Sequence, residues 1–512
     1  PDSAAESGGG SSWIGKVLAV AGVAVTLVGV VLLLVLAAQA GLLRPEIRVA
    51  GGTLLSIALV GVGVRLRGRP GDRIGAIALA ATGIAAAYLD VIALTSIYRW
   101  LPAPAGLVIA AVVGGAGLAL ARRWDSEHLG LLVLVPLIGL APVITHGVDL
   151  LLVCFMLALS AAALPVQLGK DWSWMHAART AAATVPLLLA LVAMDSHDNP
   201  WLVGGACGVA AILAIASGLI LLPATENAAA LAVLTATGTV PVLAAGIGVN
   251  HVLAAVLAAA LGAGMLTIVL VSPRLPRIVA QVWSTLAAVA GLIAVDASCR
   301  GYVEGPVLLA LAVIVAVAGR RDNVARWAAA GFGILGIGLF LCYAPPSSLV
   351  TATVVPTSIA VTTLAASLLT ITFAVTMARA CIGVGRQDPD IVRTLWAIAG
   401  ALVVYAVTAF TVTAGVLVGG CNGGFLAGHM AATICWIGMA AALFGYALRR
   451  AGREHRTAPI TAGLALTGAA TAKLFLFDLA TLDGIFRVAA FIVVGLVLLS
   501  MGAGYARSLA DR

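Results

Sequence analysis

The residues best able to do chemistry in this 512-residue chain are charged groups that interrupt or border long apolar runs. The densest set is Lys473, Asp478, Asp483 and Arg487, in Lys473-Leu474-Phe475-Leu476-Phe477-Asp478-Leu479 and Asp483-Gly484-Ile485-Phe486-Arg487. A second is Arg44-Pro45-Glu46-Ile47-Arg48, and a third is Tyr88 with Asp90. Ammonium and guanidinium groups hold phosphate or carboxylate headgroups, and a carboxylate beside them can act as a base. Charges inside apolar segments are costly and face a cavity or a partner. This makes Arg44, Glu46, Arg48, Tyr88, Asp90, Lys473, Asp478, Asp483 and Arg487 the substrate-binding candidates. The competing reading is that they are snorkelling or mutually paired charges that lock hairpins.

The elements that must position these groups follow from composition. Hydrophobic residues make up 62% of the chain and charged residues 10%, against about a quarter charged in soluble domains. Mean hydropathy is +1.12, and no water-soluble core could hide that much apolar surface. A bilayer-spanning helix needs roughly 20 apolar residues. The chain accordingly predicts an all-α, polytopic transmembrane bundle of about eighteen spans. The expected spans are 17–38, 47–64, 74–96, 105–121, 129–145, 149–166, 180–194, 201–222, 226–246, 251–271, 278–295, 306–319, 327–343, 350–377, 391–415, 428–448, 457–477 and 485–504.

Charge sets the orientation. Arginine clusters such as Arg65-Arg67-Arg69-Arg73, Arg122-Arg123, Arg320-Arg321-Arg326 and Arg449-Arg450-Arg453-Arg456 fall at every second gap between apolar runs. Basic residues mark cytoplasmic loops, so these gaps are expected inside, with both termini cytoplasmic. Of the 29 Lys and Arg, all but Arg44, Arg48, Arg99, Arg300, Lys473 and Arg487 fall inside on this scheme, including Arg179, grouped with Lys170. The thinnest signal is over 201–271, where the inner gap Thr225-Glu226-Asn227 carries no basic residue. The segment Lys170-Asp171-Trp172-Ser173-Trp174-Met175-His176 is expected to lie flat at the inner interface as an aromatic anchor. The net charge of +8 follows from the inside loops and does not suggest nucleic acid.

Residues 1–15, beginning Pro1-Asp2-Ser3-Ala4, read as a polar cytoplasmic linker, the remnant of a longer N-terminal region, followed by a single transmembrane domain over 16–512. No cleavable signal peptide is expected. High Ala, Val and Gly content suggests a GC-rich bacterium and a multi-pass protein of the inner membrane. Gly419-Gly420-Cys421-Asn422-Gly423-Gly424 reads as a mobile outer turn, whereas most other glycines serve close helix packing. Among the seven cysteines, Cys299, Cys342 and Cys421 fall outside; a disulfide between two of them competes with isolated apolar thiols.

No cofactor or metal is expected. A GxxxxGK[ST] phosphate loop, HExxH, GxSxG and CxxCH are all missing from the sequence, and the seven histidines are scattered rather than set at ligand spacing.

The first and last charged regions carry a family resemblance. Gly41-Leu42-Leu43-Arg44-Pro45-Glu46-Ile47-Arg48-Val49-Ala50-Gly51, Ala87-Tyr88-Leu89-Asp90, the Lys473 to Leu479 stretch and Phe486-Arg487-Val488-Ala489-Ala490-Phe491 resemble motifs of a bacterial membrane family known as domain of unknown function 2339. The resemblance extends in hydropathy over nearly the whole chain. It implies many spans after a cytoplasmic coiled-coil or proline-rich N-terminus and brings no established activity.

Three function classes fit these residues. The first is a transporter or flippase-like protein of cell-envelope biogenesis, handling an anionic or lipid-linked amphipathic substrate at the outer face, with membrane lipids as partners. The second is a non-catalytic scaffold of an envelope complex. The third is a transferase using a polyprenyl-phosphate donor, with Glu46 or Asp90 as base and Arg48, Lys473 or Arg487 holding phosphate. Outer gaps of about fifteen residues or fewer favour transport or scaffolding over a transferase, which folds larger outer loops around its acceptor. Pro241 inside 226–246 and the short span 306–319 are the nearest approaches to the broken helices of transporters.

Overall fold

The computed structural model describes residues 44–67, 73–193, 200–272, 274–299, 301–319, 322–353, 355–382, 389–449, 453–475, 488, 492 and 495. Among them every regular element is helical. The chain divides into two compact units at Ala294/Val295.

The first unit holds α1 (Pro45–Leu66), α2 (Arg73–Ile92), α3 (Ala103–Trp124), α4 (Glu127–Thr145), α5 (Leu150–Gln167), α6 (Ser173–Ala193), α7 (Pro200–Leu221), α8 (Ala228–Gly238), α9 (Val240–Leu243) and α10 (His251–Val271). It also holds most of α11 (Arg277–Ser298). The second holds α12 (Glu304–Ala318), α13 (Asn323–Tyr343), α14 (Thr357–Ile382), α15 (Pro389–Gly419), α16 (Phe425–Arg449) and α17 (Arg453–Lys473).

Helix starts follow the local chemistry of the connections. Ser126, Asp149, Asn227 and Asn250 each sit just before a helix, and their side chains accept a hydrogen bond from the backbone N–H three residues on, at 3.3, 2.8, 3.0 and 2.8 Å. Each bond satisfies a donor the helix cannot. At the other end of α3, Asp125 adopts a left-handed backbone with φ of 51° and its N–H caps the carbonyls of Ala121 and Arg122.

Among the described residues, fourteen helical stretches are long and apolar enough to cross a membrane. One of these, Asp390–Arg449, is 60 residues, which would reach about 90 Å if straight. It is instead a hairpin. A Cβ on Gly415 of α15 would fall 2.2 Å from the carbonyl oxygen of Gly424 and 2.9 Å from Cα of Gly428 on α16. The glycine run expected to be a mobile turn is thus a π-helical turn, Gly420–Gly424, with Gly424 buried between the two helices. Large apolar residues such as Leu54, Ile57, Val192 and Val418 are exposed, as befits helix faces turned to lipid. The expected first and last spans, 17–38 and 485–504, lie outside the described residues except at 488, 492 and 495.

Several expected boundaries shift. The span placed at 180–194 begins at Ser173, so Ser173 to His176 form the first turn of α6 and do not lie flat on the membrane surface. The span placed at 226–246 is a single helical stretch, Ala228–Ile247, with a local irregularity: α8 ends at Gly238, α9 follows after Thr239, whose backbone is still right-handed helical, and a short turn covers Ala245–Ile247. Pro241 removes one backbone donor at that irregularity. None of the seven cysteines is joined in a disulfide.

The core of the first unit is two apolar clusters, one drawn from α2 to α6 and one from α5 to α11. Helix α6 serves both, giving Met175 and Ala182 to the first and Ala183 and Leu187 to the second.

Candidate functional site

The most unusual group in the first unit is Arg179. It lies six residues past the start of α6, about 9 Å along the axis, and is 1% exposed. Its guanidinium donates to the Ser160 carbonyl of α5 at 3.3 Å and to Ser217 Oγ of α7 at 3.0 Å. It also donates to Nδ1 of His176 at 2.9 Å. Ser160 Oγ returns a bond to the Arg179 carbonyl at 3.1 Å. All these partners are neutral, and no ion pair to Arg179 occurs among the described residues. A guanidinium can only donate, so Nδ1 of His176 must accept and its proton resides on Nε2.

That Nε2–H has no hydrogen-bond partner among the described residues, nor do Nε2 and Oε1 of Gln167 at the end of α5. His176 and Gln167 are 3% and 1% exposed, and both line a narrow cleft. Around it stand Lys170, Asp171, Trp172 and Ser173 from the α5–α6 connection, Leu221 and Thr225 after α7, and Leu231 and Leu234 of α8. Unpartnered polar atoms in such surroundings are costly and call for a ligand or water.

The basic loops beside the cleft are interlocked rather than merely solvated. Arg67 donates to the Trp124 carbonyl and stacks on the Trp124 ring, with its guanidinium carbon 4.9 Å from the ring centroid. Arg73 donates to the carbonyls of Trp124 and Asp125, both at 3.3 Å, and Arg122 donates to the Pro165 carbonyl. These are cations on helix C-terminal carbonyls, the favoured sign at that end of a helix. Lys170 pairs with Asp125 at 2.8 Å. The hydrogen bond and charge of Lys170, with Arg73 and Arg67 adding, hold the Asp125 carboxyl below the ordinary carboxylate range against a partial desolvation. Asp171 accepts from Thr225 Oγ1 at 2.9 Å and from the Glu226 N–H at 3.3 Å. The gap without a basic residue therefore joins the same arginine-rich end of the unit.

The charged groups singled out in the sequence are distributed as follows. Asp90 packs its carboxylate onto α1: Thr53 Oγ1 donates to Oδ2 at 3.1 Å, and a Cβ on Gly52 would fall 2.2 Å from Oδ1. Arg48 precedes Gly52 by four residues, so the two lie on one face of α1. Arg44 and Glu46 are exposed at the start of that helix, where the acidic Glu46 suits the helix dipole. Tyr88 is not brought to Asp90. Two residues apart on α2, they point to different sides, and the buried Tyr88 hydroxyl donates to the Val133 carbonyl of α4 at 3.1 Å. In the second unit Lys473, half-buried at the end of α17, donates to the His429 carbonyl at 3.1 Å and to Thr433 Oγ1 at 2.7 Å, both on α16. The buried His429 ring packs edge-on against Phe425 with centroids 4.6 Å apart. Asp478, Asp483 and Arg487 lie outside the described residues. No cluster of His, Cys, Asp and Glu able to hold a metal occurs among the described residues.

Apolar helices with lipid-facing residues, charges gathered in the connections and rare charges held inside helices define a multi-pass, all-α membrane protein. Within that class the chain belongs to the family described as "Predicted membrane protein (DUF2339)", whose model matches residues 14–344 and 305–507. That description names a location and no activity. Comparison with curated proteins and with solved structures returned no match.

Proposed function

We propose that the protein is a transporter of the flippase type in the bacterial inner membrane, handling an anionic or lipid-linked amphipathic precursor of the cell envelope. The observation that carries this reading is Lys473. Its ammonium sits at the end of an apolar helix on two neutral acceptors, the His429 carbonyl and Thr433 Oγ1. These bonds place a cation near the end of an apolar helix, where charge is costly and is kept for a partner or a substrate headgroup such as a phosphate or carboxylate.

The transferase reading fares worse. The Asp90 carboxylate is packed on Gly52 and bonded by Thr53, which suits locking α1 to α2 better than taking a proton. The test is reconstitution of the full chain into liposomes carrying fluorescent lipids of different headgroup charge. Transport predicts that an anionic reporter crosses faster than in protein-free vesicles and faster than a zwitterionic one. Rates equal to protein-free vesicles for both would overturn the reading and leave the scaffold role, which predicts co-purifying envelope proteins.

A further inference from the structure

The cleft beside Arg179 is built for a ligand that none of the foregoing assigns. It belongs wholly to the first unit and does not rest on Lys473 or on the transport reading. Its floor is made by two nearly inaccessible side chains, Gln167 and His176, whose unpartnered amide and Nε2–H point to an acceptor-bearing ligand. Arg179 fixes this arrangement: by occupying Nδ1 at 2.9 Å it commits His176 Nε2 to donating.

Charge narrows the ligand further. Arg179 stands one hydrogen bond behind the floor, and Lys170 and Asp171 line the mouth. Lys170 is paired with Asp125, and Asp171 is already bonded by Thr225 and Glu226. Arg179 has no carboxylate partner among the described residues and bonds His176 itself, so an anion at His176 Nε2 sits next to that cation, while the Asp171 charge in the lining disfavours the second negative charge of a phosphate dianion. Shape agrees, because the cleft is narrow and its remaining walls, apart from Ser173 and Thr225, are Trp172, Leu221, Leu231 and Leu234.

We propose that this cleft binds the carboxylate of an acyl-chain amphiphile such as a long-chain fatty acid. One carboxylate oxygen accepts from His176 Nε2 and the other from the Gln167 amide, with the acyl chain lying on Trp172 and the leucines. Gln167 Oε1 then takes a water.

Trp172 supplies the readout. A brominated long-chain fatty acid, titrated into the full chain in nanodiscs, should quench tryptophan fluorescence saturably, and Trp172→Phe should remove that saturable component. Gln167→Met and His176→Ala should each weaken binding at least tenfold, about 1.4 kcal/mol. Because either variant could unfold, the wild-type chain provides its own control: the brominated methyl ester, which lacks the charge, should bind at least tenfold more weakly than the acid. Butyrate separates the two sources of a carboxylate. Failure to compete at concentrations far above the fatty acid assigns the cleft to a membrane amphiphile; competition at equal concentration overturns the acyl-chain assignment. Equal quenching by acid and ester, no saturable quenching, or unchanged affinity in both folded variants would overturn the proposal.

Discussion

Arg179 and Lys473 are both cations set inside apolar helices, yet the protein holds them in opposite ways. Arg179 is buried, and its fork of donors ties α6 to α5 and α7 and orients His176. Lys473 is half-buried and donates to the His429 carbonyl and Thr433 Oγ1, both on α16. A guanidinium has several donors in a fixed plane and can join helices, whereas an ammonium is a compact point charge on a flexible stem. The comparison teaches that charge inside a span does not have one meaning. The first cation is a three-helix junction with a cleft beside it, and the second is a cation near a helix end that bonds α16.

Substitutions at the two cations and their supports break this contrast in order of size. Arg179→Met should be the most damaging, because it removes three hydrogen bonds at once, to Ser217 Oγ, the Ser160 carbonyl and His176 Nδ1. At roughly 1 kcal/mol for each hydrogen bond in a membrane interior, the loss is about 3 kcal/mol, seen as a large drop in melting temperature in detergent. Arg179→Lys should restore only part of it. If Arg179→Met melts with the wild type, the junction role is wrong.

Gly428→Ala should come next. Its Cβ would fall 2.7 Å from the Thr411 carbonyl oxygen and 2.7 Å from Cα of Val412, forcing α16 away from α15 one residue before His429. Overpacking of this kind costs about 1–3 kcal/mol. The loss should appear as a lower melting temperature together with weakened transport, since the acceptors of Lys473 ride on the same helix. Normal melting and transport in Gly428→Ala would show that α16 does not depend on that close approach.

The pH dependence of Asp125 gives a smaller effect at the arginine-rich end. Its carboxyl is held below the ordinary range by Lys170, so the stabilisation is complete above the unfolded value of about 4 and is lost as pH falls through the lower folded value. Asp125→Asn should melt slightly below the wild type at neutral pH, and the gap should close only in acid below about pH 4. A gap that widens with acid would contradict the assignment. Arg122→Ala, which removes an exposed side chain from the Pro165 carbonyl, should leave transport unchanged.

Much of the fold was legible in the sequence, for a physical reason. Lipid forces apolar spans of nearly fixed length, and arginines mark the connections on one side. Even the connection at Thr225, which has no basic residue, could be assigned by alternation, and the structure explains it through the Asp171 bonds. The Arg179 site was hidden by the same reasoning. Treating every inner arginine as a loop residue placed Arg179 outside the span 180–194, although fifteen residues is too short for a bilayer. Lengthening that span to roughly 20 residues would have drawn His176 and Arg179 inside. What no pattern in one sequence could supply is the convergence of Ser160, Gln167 and Ser217 on them, because those residues come from helices whose packing is decided by small residues such as Gly218 and Gly238. A Cβ on Gly218 would fall 2.3 Å from Thr235 Oγ1, and one on Gly238 2.4 Å from the Ala214 Cβ. The pairing of Tyr88 with Asp90 misled for a simpler reason, since residues two apart on a helix do not share a face.

The most direct test of the account is the initial rate at which an anionic lipid reporter crosses proteoliposomes, measured per folded molecule for Lys473→Met beside the wild type. The account predicts a loss of at least tenfold per folded molecule, with melting lowered only by the two bonds to α16, at roughly 1 kcal/mol each and so less than in Arg179→Met. A Lys473→Met protein that moves the reporter at the wild-type rate would contradict it.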